Sequence, residues 1–329
     1  MTRSLAIGTT ALVVALVAAA TPAAAAYSVQ SVQFPTDLPF TQFLGTNGQG
    51  VIVGYHGEVV NSGFTFTQPN VFTDTNFTDA AQTQVTGIAG TEGNASKVGF
   101  YVDTSEKTHG FILIPGSGTA SGAFFTIDKP NTVFTQVLGI DSAGKNIAGY
   151  SSTDQTGMTL QLAFVGTTGP SGTTFTDIDR LLPKNLNSQA AGINAAGAAV
   201  GFYLPATGPN TSLGFEDING AIRTVDPFGS NNTQALGINN NGELVGTYTD
   251  EAGDQHGFIE ITGEFSSFDP AGSSNTTING VNDQGQIVGF YTDKDTNVTG
   301  FVATPVPEPE SIALLCMGLF GIAALRRRS

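Results

Sequence analysis

The feature that most narrows what this chain can fold into is a repeat. The segments LGINNNGELVGTYTDEAGDQHGFIEITGEFSSFDP and NGVNDQGQIVGFYTDKDTNVTGFVATP are copies of one unit. Its anchor, a Gly followed in most copies by Ile or Val and then Asn or Asp, recurs at Gly45, Gly87, Gly139, Gly192, Gly237 and Gly280. The intervals of 42, 52, 53, 45 and 43 residues are those of propeller blades and exceed the rungs of a β-helix.

Each unit reads as four strands. After the anchor, the tetrads at 47–50, 141–144, 194–197, 239–242 and 282–285 place Asn or Asp first and Gly fourth. This is type I turn chemistry, closed by a left-handed Gly. The second strand is interrupted by Gly99, Gly201, Gly246 and Gly289, which weakens a strand unless another backbone passes close by; a facing blade is the expected neighbour. The third strand begins with Gly-Phe at Phe64, Phe111, Phe215, Phe258 and Phe301, with Ala163-Phe164 standing in once, and these rings suit blade-to-blade contacts. Tyr55, Tyr101, Tyr150, Tyr203, Tyr248 and Tyr291 follow the second-strand glycines and are expected between blades too.

The sixth copy stops at Pro305 with no fourth strand, while YSVQSVQF ends at Pro35, ten residues before Gly45. Pro227 and Pro270 precede Gly237 and Gly280 by the same ten. The spacing predicts that the amino-terminal strand completes the last blade and removes the exposed edges of an open array. An open run of hairpin units is the competing architecture.

Composition agrees with a β-rich, turn-rich body, because Gly is abundant and charged residues make up only 12%. The single cysteine, Cys316, lies outside the repeats, so their stability rests on packing. Of 12 basic and 27 acidic residues, 8 and 25 fall within 27–305, a net charge of −17. Such a body repels phosphate backbones and anionic membrane surfaces, which excludes nucleic acid as a partner.

The two ends read as addresses. Arg3, an apolar stretch at 12–20, Pro22 and the small residues Ala24 and Ala26 before Tyr27 form a secretory signal peptide. At the other end, the apolar run 312–325 has 14 residues, a marginal span for a ~30 Å hydrocarbon core. Arg326, Arg327 and Arg328 extend its reach by snorkelling and stay on the cytoplasmic side. Pro307-Glu308-Pro309, the short hydrophobic helix and the basic terminus resemble the PEP-CTERM sorting domain.

That resemblance covers about the last two dozen residues. It makes Pro307, Glu308, Pro309, Arg326, Arg327 and Arg328 the sorting motif, to be read by an exosortase-type membrane enzyme in Gram-negative bacteria that make exopolysaccharide. It implies transient inner-membrane association and delivery to the cell surface, outer envelope or extracellular matrix. A plain membrane anchor, or a helix docked on the body, is the alternative.

The unit also resembles the HAF family of extracellular repeats, on the strength of His109-Gly110-Phe111 and His256-Gly257-Phe258. Ser62, Leu162, Leu213 and Thr299 replace the histidine elsewhere, which argues for a strand residue without shared chemistry. His56, His109 and His256 lie in different repeats, and no HExxH, Gly-x-Ser-x-Gly or phosphate loop is present. Asp128, Asp226 and Asp269 recur before or near proline, where Asp forms turns; as carboxylates at a channel end they are the candidates for a hydrolytic site. Asp293, Asp295 and Asn297 alternate like the start of a calcium loop but lack its Gly and Glu. Tryptophan is absent, which removes the largest aromatic platform for a sugar.

The expectation is therefore an all-β chain. A signal peptide at 1–26 precedes a six-bladed β-propeller of four-stranded blades at 27–305, closed by the N-terminal strand, and a sorting tail follows at 306–329. An N-terminal signal helix and a C-terminal hydrophobic helix flank it. No catalytic, metal or cofactor-binding residue is assigned, and no cofactor. The protein is read as a structural or adhesive module with extracellular polysaccharide as its candidate partner. The alternatives are a polysaccharide-degrading or -modifying enzyme and a calcium-dependent adhesion module.

Overall fold

The computed structural model describes residues 26–36, 39–91, 93–116, 122–183, 185–206, 211–230 and 232–306. Strand β1 (Tyr27–Val32) opens the body. Blade 1 is β2 (Thr41–Thr46), β3 (Ile52–His56), β4 (Ser62–Thr67) and β5 (Val71–Asp74). Blade 2 is β6 (Gln82–Ala89), β7 (Ser96–Val102), β8 (Thr108–Ile114) and β9 (Ala123–Ile127). Blade 3 is β10 (Phe134–Ile140), β11 (Asn146–Ser152), β12 (Leu162–Gly169) and β13 (Gly172–Asp177). Blade 4 is β14 (Asn185–Ile193), β15 (Ala199–Pro205), β16 (Leu213–Ile218) and β17 (Ala221–Val225). Blade 5 is β18 (Thr233–Ile238), β19 (Leu244–Thr249), β20 (Gln255–Ile261) and β21 (Glu264–Phe268). Blade 6 is β22 (Ser273–Val281), β23 (Ile287–Asp293) and β24 (Val298–Pro305), with β1 as its outer strand.

The ring is thus closed, six-bladed and four-stranded in every blade, and the open array is ruled out. Strand β1 pairs antiparallel with β24 from Tyr27 opposite Pro305 to Val32 opposite Gly300, as the ten-residue spacing to Pro35 predicts. The expected signal helix and tail helix fall outside the described residues. So do Ala24, the Pro307-Glu308-Pro309 motif and Arg326, Arg327 and Arg328; Ala26 is exposed just ahead of β1.

Six apolar clusters hold the ring, and each is built from two successive blades. Phe64 and Phe43 of blade 1 meet Val288 and Val302 of blade 6, while Phe301 of blade 6 meets Val245 and Ile259 of blade 5. Phe64, Phe111, Phe164, Phe215, Phe258 and Phe301 are all completely buried. Removing one such ring costs about 3–5 kcal/mol in comparable cores. The Gly-Phe reading of the third strand is therefore correct, with Ala163 fully buried where the other blades carry Gly.

The second-strand glycines have a different neighbour from the one expected. A Cβ on Gly54, Gly99, Gly201, Gly246 or Gly289 would sit 2.0 Å from a carbonyl oxygen of the first strand of its own blade. A β-bulge interrupts the first two strands of all six blades, just before the anchor Gly. The bulge rotates that carbonyl into the sheet face, and only Gly leaves room for it. The third-strand Phe lies directly across from each of these glycines and covers the backbone a side chain would have covered. The third-strand glycines are the ones that face the next blade: Gly300 would clash with Phe43, and Gly110 with Val137.

Four of the six tyrosines sit as expected: Tyr101, Tyr203, Tyr248 and Tyr291 follow the second-strand Gly by two residues and join inter-blade clusters or flank them. Tyr55 and Tyr150 follow their Gly directly, so strand alternation turns them to the opposite face.

Candidate functional site

The first strand of each blade lines the central channel, and its sequence explains the lining. Thr41-Gln-Phe-Leu-Gly45 has counterparts at Thr83, Thr135, Ser188, Thr233 and Thr276, so the motif is Thr-Gln-x-x-Gly with Ser or Thr-Thr variants. The Gly positions form a ring in which each blade touches the next. A Cβ on Gly139 would lie 2.6 Å from the Ala191 oxygen, and one on Gly280 3.3 Å from the Gly45 Cα. Nothing larger fits where six backbones converge.

The bulged residues before the ring, Leu44, Thr86, Leu138, Ala191, Leu236 and Asn279, form a mostly apolar waist. Outside it, Gln42, Gln84, Gln136, Gln189 and Gln234, with Thr277 in blade 6, form a collar of carboxamides at one mouth. Gln84 donates to Asn61 Oδ1 at 2.7 Å, and Gln189 donates to Gln161 Oε1 at 2.9 Å. The carboxamides of Gln42, Gln136 and Gln234 engage no side chain among the described residues, and each is only partly buried. Both their donors and their acceptors therefore face the mouth.

The collar is uneven. Thr277 is shorter than the Gln it replaces, and Gln255 of blade 5 leans over to donate to Thr277 Oγ1 at 2.8 Å. The mouth widens on that side into a cavity of about 590 Å³ across blades 4, 5 and 6, bounded by Gln42 and Leu44 of blade 1. It is lined by Gln189, Gln234, Gln255, Asn232, Asn275 and Asn279, by Thr247, Thr249, Thr277 and Thr292, and by the rings of Phe202 and Phe290. Every polar group in that lining is neutral.

At the opposite mouth amides are present again, but bonded. Asn282 Nδ2 donates to Asn47 O at 3.0 Å, Asn239 to Asn282 O at 2.9 Å, Asn194 to Asn239 O at 3.1 Å, and Asn47 to Gly90 O at 2.9 Å. Their Oδ1 atoms accept the amides of their own turns, as for Asn282 from Gln284 and Gln286. The turn geometry is the expected one, with Gly242 at φ 79°. Ala89 and Asp141 occupy this position in blades 2 and 3; Asp141 instead accepts from Lys145, Asn146 and the Asn146 side chain.

The Thr of the motif anchors the links between blades. Its hydroxyl accepts the Phe34 amide at Thr41, the Phe77 amide at Thr83 and the Lys129 amide at Thr135. Thr233 and Thr276 have buried hydroxyls without a partner. Thr83 and Thr135 take the amide six positions earlier, where Thr233 and Thr276 meet Pro227 and Pro270, and proline has no N–H; Thr41, with Pro35 at that place, takes the Phe34 amide one residue further back.

Asp128, Asp226 and Asp269 do not ring the channel. Each follows the fourth strand, which is the outermost of its blade, so the candidate hydrolytic carboxylates stand on the outer rim. Two of them hold the histidines. His109 Nδ1 lies 3.0 Å from Asp128, with Asp103 3.5 Å from Nε2. His256 is set 2.8 Å from Asp269 and 3.5 Å from Asp250. Partial burial alone would lower the His256 pKa, but hydrogen bonding and charge from Asp269 and Asp250 outweigh it and raise it.

Asp103, Asp250 and Asp293 each accept two backbone amides of their hairpin tips. Asn297 also donates to Asp293, so the calcium-like stretch is a self-satisfied turn. Among the described residues no group of three or more His, Cys, Asp or Glu is arranged to hold a metal ion. Away from the mouth, Arg223 bridges the buried Glu216 and Glu260 of blades 4 and 5 at 2.8 and 2.9 Å.

The carboxamide collar was absent from the sequence expectations although its signal is plain: Gln stands three residues before the anchor Gly in five of six copies.

Comparison with known proteins bears on both the tail and the ring. Residues 305–328 match the PEP-CTERM protein-sorting motif. The motif indicates export with sorting to the cell surface or extracellular matrix, and implies processing by an exosortase. No curated protein matches the chain. Among solved structures, a triple-arginine mutant of AofleA from Arthrobotrys oligospora superposes with a TM-score of 0.50 at 9% identity, over 84% of this chain and 86% of that one. Aleuria aurantia lectin gives 0.48 at 9% identity over 83% and 99% of the two chains. Trypanosoma rangeli sialidase gives 0.46 at 8% over 85% and 56%, so the chain spans little more than half of it. At such identities the likeness is one of fold.

Proposed function

We propose that the protein is a binding module of the cell surface or exopolysaccharide matrix, without catalysis of its own, and that it engages extracellular polysaccharide at the glutamine mouth. The observation that carries this reading is the lining of that mouth: carboxamides with unengaged donors and acceptors beside hydroxyls and two aromatic rings. Such a surface matches the alternating hydroxyls and apolar patches of a sugar chain. General acid–base or nucleophilic cleavage needs a positioned carboxylate, and Asp128, Asp226 and Asp269 stand on the rim, with Asp128 and Asp269 on histidines and Asp103, Asp250 and Asp293 on hairpin amides.

The ends of the body fit this use. Strand β1 begins at Tyr27, so signal cleavage after Ala26 leaves the closing strand whole; β24 ends at Pro305, where the sorting motif begins. An exosortase-type enzyme that removed the tail would release or attach a body with all its strands.

The test is to pass the body from Tyr27 to Val306, one compact unit, over immobilised bacterial exopolysaccharides and to follow the chain length of the eluted polymer. Retention with unchanged length supports the module. Shortened polymer overturns it in favour of a polysaccharide-degrading enzyme, and no retention on any polymer removes polysaccharide as the partner. A melting temperature that rises in millimolar calcium would support the calcium-dependent alternative instead.

A further inference from the structure

We infer that the ligand is an uncharged, extended glycan, and that it lies across blades 4, 5 and 6 beside the channel axis, with its faces against Phe202 and Phe290. This rests on the reading of the glutamine mouth as a polysaccharide site and adds to it a charge class and a position.

The position follows from the gap in the collar. Replacement of Gln by Thr277 and the lean of Gln255 go with the roomier side of the mouth; the cavity that runs along the axis and reaches Tyr55, Gln84, Phe100 and Gln136 on the other side holds only about 270 Å³. The widened side has a volume of about 590 Å³, within the ~300–1,000 Å³ typical of small-molecule and oligomer sites. Phe202 and Phe290 occupy the same place in the second strands of blades 4 and 6, one residue after Gly201 and Gly289. Blade 5 carries Thr247 there, whose hydroxyl is already spent on the carbonyls of His256 and Thr276. The result is a floor low in the middle with an aromatic ring at each end, which suits a chain laid flat.

The charge class follows from what surrounds the floor. Antiparallel connections put the tips between second and third strands, and the links between blades, at the glutamine end. Asp103, Asp154, Asp250 and Asp293 stand in those tips, with Asp128, Asp226 and Asp269 in the links. Lys129 is engaged with Asp177 at 3.0 Å and Lys294 with Asp295, and Lys107 and Arg180, on the blade 2 and blade 3 side, are the other basic residues described in those tips and links. An acidic polymer would meet this rim at closest approach with little cationic compensation, and like-charge contact both slows encounter and disfavours binding. A neutral chain meets only the dipoles of the floor.

The experiment compares retention of the body on neutral polymers (dextran, galactomannan, xyloglucan) with that on acidic ones (polygalacturonate, alginate, hyaluronate) at low and physiological salt. Variants F290A, Q234A and Q136A are compared, each first checked for an unchanged melting temperature. The expected result is retention on at least one neutral polymer, a tenfold or greater loss with F290A and with Q234A, and less than threefold loss with Q136A on blade 3. Preference for an acidic polymer overturns the charge class while leaving a polysaccharide module intact. Equal losses with Q136A and Q234A centre the ligand on the axis and overturn the position. Failure on all six polymers counts against both this inference and the reading it rests on. If F290A proves unstable, Q234E serves in its place: a new carboxylate in the floor weakens binding of a neutral chain through lost donors while leaving the collar's shape.

Discussion

Both mouths of the channel are rimmed with side-chain amides, yet the amides have opposite employment. Asn47, Asn194, Asn239 and Asn282 spend their acceptors on their own turns and their donors on the next blade. Gln42, Gln136 and Gln234 have nothing to bond among the described residues. The difference comes from reach and context. An Asn at the head of a type I turn is short enough to be captured by backbone amides two and four residues on. A Gln on the bulged strand is held out by one more methylene, over a mostly apolar waist whose polar members, Thr86 and Asn279, donate to backbone carbonyls instead. One end fastens the ring, and at the other three carboxamides stay unengaged among the described residues.

That contrast can be broken most forcefully at the fastened end. N282A removes the acceptor of two backbone amides and the donor to blade 1 at a position only 6% exposed; about 2–4 kcal/mol of stability should be lost, measured by urea unfolding. A loss below 1 kcal/mol would mean that water replaces the bonds and that the ring needs no fastening there. The motif threonines sharpen the comparison within the glutamine end. T83V orphans the Phe77 amide and should cost about 1–3 kcal/mol, whereas T276V removes a hydroxyl that Pro270 already left unpaired and should be neutral or stabilising. Equal costs would refute the proline explanation.

The pH response should be smaller and have two limbs. Asp154 is held down to about 2, chiefly by the Thr156 side chain, and backbone or side-chain amides depress Asp103, Asp250 and Asp293. Their contribution is full above the ordinary carboxylate value of ~3.9 and is lost as pH falls through the folded values. His256 runs the other way, because a raised pKa contributes fully below ~6.5 and is lost as pH rises through the folded value. Melting temperature against pH should show both limbs; D154N should flatten the acid one, and H256Q the other. A slope near neutral pH unchanged in H256Q would show that the ion pairs with Asp250 and Asp269 are too exposed to matter. The smallest effect belongs to the free end, where Q234A should leave stability within about 0.5 kcal/mol while weakening polymer retention.

The repeat made the ring legible because a propeller writes its blades one after another, and even the closing strand was marked by the spacing of proline to anchor. The identity of each glycine's neighbour was not legible, since it depends on the bulge. Gly99 and Gly110 differ in sequence only by strand, yet the first makes room for a first-strand carbonyl and its facing Phe111, both in its own blade, and the second for the Ile127 carbonyl and, in the next blade, Val137. The collar was overlooked for a related reason: Gln in a strand reads as a solvated face until the strand is known to be the innermost. The aspartates were legible as turn formers: Asp128 and Asp269 recur regularly and directly follow the outermost strands, which leaves the alternative of a channel-end carboxylate site without these members.

The pairing of Tyr27 with Pro305 has a consequence in time. An exported chain emerges amino end first, so the first strand to reach the outside is the last to find its partner, after the whole ring has been laid down. While it waits it must not find another. Its residues Ser28, Gln30 and Ser31 and the following Gln33 make it a poor template for stray pairing, and completion of the sixth blade becomes the step that reports that the entire body has crossed.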